Sequence, residues 1–419
     1  MPSIEKALEA PAAGGSGPVT RPIRVCQAAS AAISVYYLLR GQIQALAAAG
    51  YEVRAVSGAD DWTAKNVSVG LVADIAPMVR ELSPVRDAIA FVWLVRYFRR
   101  WRFDVVHTHT PKAGLIAPLA ARIAGVPCIL HTVHGFLFHD RMKRPRWLAG
   151  WLAEKFTALW VDALLFQSRE DWESAPKRHI LPARRCFYIG NGVDVTRYTS
   201  SGPDTRREAR ALLGIGPDEF VVGYAGRLVR EKGVEDLLYC AERFVAGKQK
   251  VRILLVGSLE EKEQSDSLTA AELENWRSRL PALFPGHRED LHRLYAAMDV
   301  FVLPSYREGL PRALTEACLA GIPAIATDIR GCREVVEDRV TGLLFPAGDR
   351  ERLSMALEEV YSHPEEAGAR AKNARERTAR QFDETVVTRR IMDVYRQFTP
   401  QVPQPRAMEA TAGVSNDPS

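Results

Sequence analysis

At 419 residues the chain is longer than a single hydrophobic core usually organises, so two domains are expected. Lysine and arginine number 56 against 51 aspartates and glutamates, a basic excess small enough to suit an anionic small molecule without calling for nucleic acid. The six cysteines, Cys26, Cys128, Cys186, Cys240, Cys318 and Cys332, form no Cys-x-x-Cys pair and have no histidine at zinc-binding spacing, which excludes a zinc module and points to a reduced, cytoplasmic chain.

Residues 1–20 have neither a basic start nor an apolar centre and read as a disordered leader rather than a secretion signal. An apolar strand follows at 23–28, then helical spacing over 36–49 that stops at Gly50, then an alternating strand at 52–57. The pattern repeats as helix 91–101, buried strand 104–107, helix 114–124 stopped by Gly125 and Pro127, and strand 128–132. Helix 146–160 and strands 163–167 and 186–189 complete an N-terminal Rossmann-like domain over residues 21–195. Turn formers at 190–194 and the charged stretch 204–210 put the junction near 192–205.

A second series of apolar strands then runs through 220–224, 252–256, 300–303, 324–327 and 343–345, which defines a C-terminal domain over 205–382. The helical pattern 386–398 lies in a segment, 383–399, expected to return to the N-terminal domain. Pro400, Pro403 and Pro405 then end regular structure and leave 400–419 as a disordered tail. No run of about 18 apolar residues occurs, so any membrane association has to be peripheral. The fold class is α/β: two doubly wound parallel-sheet domains facing across a cleft, with ligands expected beyond the carboxyl ends of the strands.

The motifs sit at those ends. Strand 220–224 runs into Gly226-Arg227 and on to Lys232-Gly233 before a helix. Gly226 permits close backbone approach, and Arg227 and Lys232 set two cations at a helix N-terminus, an arrangement suited to a diphosphate. Taken alone, the same residues also fit a solvated basic turn. Strand 300–303 leads into Glu308-Gly309-Leu310-Pro311, with Glu316 eight residues after Glu308 and two turns into the next helix. One carboxylate can accept hydrogen bonds from sugar hydroxyls and the other from a ribose, while the amides of Gly309 and Leu310 face phosphate. Two ordinary surface glutamates remain the plain alternative.

These elements together resemble retaining glycosyltransferases of family 4, which have the GT-B architecture. The likeness rests on Glu308-x7-Glu316, on Gly226-Arg227-Leu228 with Glu231-Lys232-Gly233, and on Asp328-Ile329-Arg330-Gly331 with Glu334, and it extends over about residues 22–398. It implies that Arg227 and Lys232 bind the donor diphosphate, Glu308 the transferred sugar and Glu316 the ribose. It also implies that His134 sits at the reacting centre and that a loop near His287 and Arg288 meets the base. His107 and His131 are read as structural, and the four histidines at 107, 109, 131 and 134 are not read as a metal site. Two departures stand out. The usual glycine pair after the first strand is replaced by Ala28-Ala29-Ser30-Ala31-Ala32, and Pro281 and Pro285 are expected to interrupt the strand before Gly286.

The chain has no Asp-x-Asp triplet, so metal-independent transfer with no cofactor is expected, the leaving diphosphate being stabilised by Arg227, Lys232 and helix N-termini. The sequence places no second carboxylate beside His134, which favours front-face displacement over a double displacement. The resemblance implies a nucleoside-diphosphate sugar, with UDP favoured, as donor, and a glycan or polyprenyl-linked acceptor from cell-surface or exopolysaccharide synthesis. The basic, aromatic stretches 93–103 and 141–147 suggest contact with an anionic membrane on the cytoplasmic side, although arginines rimming a core would give the same pattern. A nucleotide-sugar epimerase of similar shape and an inert scaffold of the same fold are the competing readings.

Overall fold

A computed structural model describes residues 21–79, 81, 83–139, 142–198, 203–248, 250–259 and 266–399. The leader 1–20 and the tail 400–419 lie outside the described residues. The first sheet has seven strands: β1 (Arg24–Ala28), β2 (Glu52–Ser57), β3 (Ala73–Ile75), β4 (Val105–His109), β5 (Cys128–Val133), β6 (Ala163–Phe166) and β7 (Cys186–Tyr188). The second has six: β8 (Phe220–Ala225), β9 (Val251–Val256), β10 (Ala282–Gly286), β11 (Val300–Leu303), β12 (Ala324–Thr327) and β13 (Leu343–Phe345).

Every named pair is parallel, in the orders β3-β2-β1-β4-β5-β6-β7 and β10-β9-β8-β11-β12-β13. Each sheet therefore reverses its winding once, between β1 and β4 and between β8 and β11, and a crevice opens at the carboxyl ends of those strands. The central strands are buried because helices cover both faces: β11 is apolar throughout, while β4 and β5 are buried along their whole length but carry His107, His109 and His131.

On one face of the first sheet, helices Pro84–Trp101, Pro111–Ala124 and Arg144–Trp160 close a core that includes Leu94, Phe98, Ala117, Ala121 and Ala158. On the other face the last helix, Glu384–Phe398, inserts Val387, Ile391, Val394 and Tyr395 against Val25, Val105, Leu130 and Leu165. The chain passes between the two sheets at Val193 and at Asp383, which form a parallel bridge, with Val193 N–H donating to the Phe382 carbonyl at 2.8 Å.

Several boundaries differ from the sequence expectations. The prolines do not abolish the strand before Gly286. β10 forms at the sheet edge, where a missing N–H is tolerated, and its register shifts between Leu283 and Gly286 around Pro285. The charged stretch 204–210 belongs to a helix, Pro203–Leu213. The helix expected over 36–49 is broken, with a π turn at Val35–Leu39 ahead of Arg40–Ala48. Helix Pro84–Trp101 starts seven residues earlier than expected, its first turn carrying Pro84 at N1.

Candidate active site

At the second switch point β8 is followed by Gly226, whose φ of +154° goes with a close approach: a β-carbon there would lie 2.8 Å from the Tyr224 hydroxyl. Arg227 follows, then the 3-10 turn Arg230–Lys232, and Gly233 opens helix Val234–Val245. β11 delivers Ser305 and Glu308 beside them. Lys232 Nζ lies 2.6 Å from Glu308 Oε1, and Ser305 Oγ donates to the same oxygen at 2.7 Å. Arg227, Lys232, Glu308, Gly309 and His134 line one cavity of about 240 Å³.

The cavity lies between the two sheets, and glycines let them meet. A β-carbon on Gly135 would come 2.6 Å from the Gly309 Cα, and one on Gly309 would overlap the His134 carbonyl oxygen. Backbone thus touches backbone where β5 and β11 point at each other.

The other expected donor residues lie off this cavity. Glu316 is buried in helix Arg312–Leu319, where it accepts from Arg312 Nε at 2.9 Å and from the Tyr295 hydroxyl at 3.1 Å. Arg312 also donates to the Tyr37 carbonyl at 2.9 Å, and the Tyr37 hydroxyl meets His287 Nε2 at 2.8 Å. Tyr37 therefore links Glu316's partner to the His287 loop. Arg288 is held in a two-bonded pair with Asp290, and the Leu310 side chain is buried in the second core. In the 28–32 segment the Ser30 N–H donates to Thr110 Oγ1, and just after it the Ile33 N–H donates to Asp60 Oδ2, both at 3.0 Å, so these two amides are already engaged.

Burial governs the four histidines. It holds His107 and His109 well below the ordinary imidazole range, lowers His131 to about 3, and lowers His134 to about 4 against an opposing hydrogen bond with Gln167. All four rings are neutral near pH 7. His131 Nδ1 pairs with Thr108 Oγ1 at 2.8 Å, and His109 Nδ1 lies 3.2 Å from His134 Nε2. Among the described residues no group of three or more His, Cys, Asp or Glu side chains is disposed to hold a metal ion.

Two carboxylates that the sequence did not single out, Glu154 and Asp171, shape the loop after β5, and a third, Glu334, caps a helix after β6. Leu137 N–H donates to Glu154 Oε1 at 3.1 Å and Phe136 N–H to Asp171 Oδ2 at 3.2 Å. Burial raises Glu154 to about 7 and Asp171 to about 6, the latter although Arg330 lies 2.7 Å away across the domain boundary. Glu154 also lines the same cavity as His134, contrary to the expectation that no carboxylate would stand there. Glu334 crosses the boundary as well: it accepts from Ser168 Oγ at 3.2 Å and from the N–H groups of Arg169 and Glu170, capping helix Arg169–Lys177 of the other domain. No local pattern announces Glu154 and Asp171, and the motif that contains Glu334 does not reveal its partner 166 positions away.

Residues 37–197 match the family described as Glycosyltransferase Family 4, and residues 205–377 match Glycosyl transferases group 1. An Escherichia coli protein, UDP-Gal:alpha-D-GlcNAc-diphosphoundecaprenol alpha-1,3-galactosyltransferase, is 30% identical over 77% of this chain and 82% of its own. The chain belongs to glycosyltransferase family 4. This family 4 glycosyltransferase is also similar to the capsular polysaccharide biosynthesis glycosyltransferase CapM of Staphylococcus aureus, at 25% identity over 86% of this chain and 94% of CapM. Neither relative is an epimerase. Its fold is that of Anabaena HepE, solved with UDP-glucose, at a TM-score of 0.75 and 20% identity over 90% of this chain and all of HepE. The two facing parallel-sheet domains are the GT-B architecture.

Proposed function

We propose that this enzyme transfers a sugar from a UDP-sugar to a polyprenyl-diphosphate-linked glycan, in the synthesis of a cell-surface polysaccharide, with retention of anomeric configuration. The observation that carries the reading is the single cavity lined by Arg227, Lys232, Glu308 and His134, cations from one domain facing the imidazole of the other. The donor and acceptor named for the E. coli relative, and the polysaccharide role named for CapM, support the substrate class.

In this mechanism Arg227 and Lys232 take up charge that develops on the departing diphosphate, as a preorganised site does most effectively out of bulk water. No metal is required. Glu308, now paired with Lys232, turns to the sugar as the diphosphate claims the lysine. Glu154 is a poor nucleophile, because burial keeps its carboxyl half-protonated near pH 7 and one oxygen serves the Leu137 amide. That supports front-face displacement, with the leaving phosphate helping to deprotonate the acceptor hydroxyl.

The enzyme works at an anionic membrane surface. No helix among the described residues is long and apolar enough to cross a membrane, so contact is peripheral. The aromatic residues expected to touch lipid turn inward instead: Tyr97, Phe98 and Phe103 are buried and Trp93 and Trp101 pack on them. What faces outward is a row of Val85, Ile89 and Val92 on helix Pro84–Trp101 and a second row of Leu148, Leu152, Phe156 and Leu159 on helix Arg144–Trp160. Lys143, Arg144, Arg146, Arg96 and Arg99 are exposed on the same two helices or just before them, and Arg141 lies outside the described residues. Apolar rows edged by cations suit a surface of anionic lipid. Incubation with UDP-sugars and a polyprenyl-diphosphate sugar in anionic vesicles tests both parts. A product of extended lipid-linked glycan is expected, and hydrolysis or isomerisation of donor alone would overturn the reading.

A further inference from the structure

Behind His134 a run of buried side chains reaches the last helix. Gln27 Nε2 donates to the Tyr395 hydroxyl at 2.9 Å, Gln27 Oε1 lies 2.7 Å from His109 Nε2, and His109 Nδ1 lies 3.2 Å from His134 Nε2. On a side branch the Tyr395 hydroxyl meets His107 Nδ1 at 2.8 Å, and His107 Nε2 meets Thr132 Oγ1 at 2.7 Å. Gln27, His107, His109 and Tyr395 are all buried.

From these contacts we infer that Gln27, oriented by Tyr395 and acting through His109, fixes which ring nitrogen of His134 carries the proton. An amide oxygen only accepts, so His109 Nε2 must bear hydrogen. A neutral imidazole has one proton, which leaves His109 Nδ1 as an acceptor, and His134 Nε2 must then be the donor. His134 is left with a bare Nδ1, an acceptor only, which can take an N–H from the Gln167 side chain that also hydrogen-bonds this ring, or a hydrogen bond from a substrate hydroxyl.

The whole run has one alternative. Turning the Gln27 amide over would reverse every bond in it: Tyr395 would donate to Gln27, His107 Nδ1 would donate to Tyr395, and His109 Nδ1 would donate to His134. With the Gln42 amide set so that its Nε2 lies 3.4 Å from His107 Nδ1, that nitrogen is the bare one and the first pattern is the consistent one. Tyr395 of the last helix, 261 positions after His134, thereby helps set the chemistry of a ring in the cleft. Gln27, His109 and Tyr395 are positioning residues, since none of them lines the cavity that holds Glu308.

The kinetic part of the test rests on the transferase reading, but the spectroscopic part does not. NMR of the histidine ring nitrogens, with the His134 signals identified by their loss in His134→Gln, is expected to show Nε2 protonated and Nδ1 bare. Tyr395→Phe frees the Gln27 amide, so the His134 signals should move toward a mixture of the two forms. In the same variant kcat should fall about tenfold while the donor KM stays within about twofold, because the tautomer matters to the reaction and not to diphosphate binding. Gln27→Leu should do the same. Should that variant fail to fold, Tyr395→Phe and the wild-type spectrum carry the test. A wild-type His134 protonated at Nδ1, or ring signals untouched by Tyr395→Phe, would overturn the assignment. The stated tautomer without any sugar transfer would instead count against the proposed reaction alone.

Discussion

Lys232 and Glu308, 76 positions apart on loops that follow β8 and β11, meet at 2.6 Å with both side chains largely buried. Each neutralises the other. Lys232→Ala leaves a buried carboxylate without its cation and is expected to cost about 3 kcal/mol of stability, whereas removing both charges in Lys232→Ala/Glu308→Gln costs much less. Thermal unfolding of the two single variants and the double variant checks this. Additive losses would mean that the pair is not coupled.

Nucleoside diphosphate affinity should respond in the opposite order. Losing Lys232 and Arg227 together removes two charges from the phosphate site, so UDP affinity measured by calorimetry should fall by at least about 100-fold, on the scale of two charge-assisted contacts. Wild-type affinity in the double variant would place the diphosphate elsewhere.

Stability should fall as pH drops from 7 to 5. The four buried histidines have folded-state values below their ordinary 6.5, so in that range the unfolded chain takes up protons that the folded chain refuses. Glu154 and Asp171 act in the opposite sense: raised to about 7 and 6, they stay protonated in the fold where the unfolded chain would ionise them. Burial also raises Glu334 and Glu384 and lowers His287 and His292, so six imidazoles outweigh four carboxyls. Glu154→Gln removes part of the opposition, so its melting temperature should depend more steeply on pH than that of wild type. A flat wild-type profile between pH 7 and 5 would contradict the burial of these rings.

Gly309→Ala tests how the domains close. Because its β-carbon would overlap the His134 carbonyl oxygen, the substitution should hold the cleft open, giving a larger radius of gyration by X-ray scattering and little transfer, with both domain cores intact. An unchanged radius with full activity would show that the contact is not needed. Transfer itself should persist in EDTA, and an absolute need for added divalent metal would contradict the metal-free mechanism.

Much of the fold and the nearer half of the site were legible in the sequence, for one physical reason. In a parallel sheet the functional residues follow apolar strands directly, so Gly226, Lys232, Glu308 and His134 could be placed by reading strand ends. What escaped depends on contacts that sequence order hides. Glu154 reads as one more residue of an amphipathic helix until the chain after β5 folds back over it. Glu334 fills a helix cap 166 positions away. Arg312 precedes Glu316 by one helical turn, but its hold on Tyr37 depends on the other domain. In 93–103 the aromatics draw the eye, but burial turns Tyr97, Phe98 and Phe103 inward and leaves Val85, Ile89 and Val92 of the same helix outside.

The most direct test of the central claim is the rate of sugar transfer by Glu308→Gln, with UDP-sugar as donor and a polyprenyl-diphosphate glycan as acceptor, beside UDP binding by the same protein. The amide keeps the shape but loses the charge that strengthens its bonds to the sugar as positive charge develops on the ring. Transfer should therefore drop at least about 100-fold while UDP binding changes little. Transfer at the wild-type rate would contradict the assignment of this cavity as the place where the sugar changes hands.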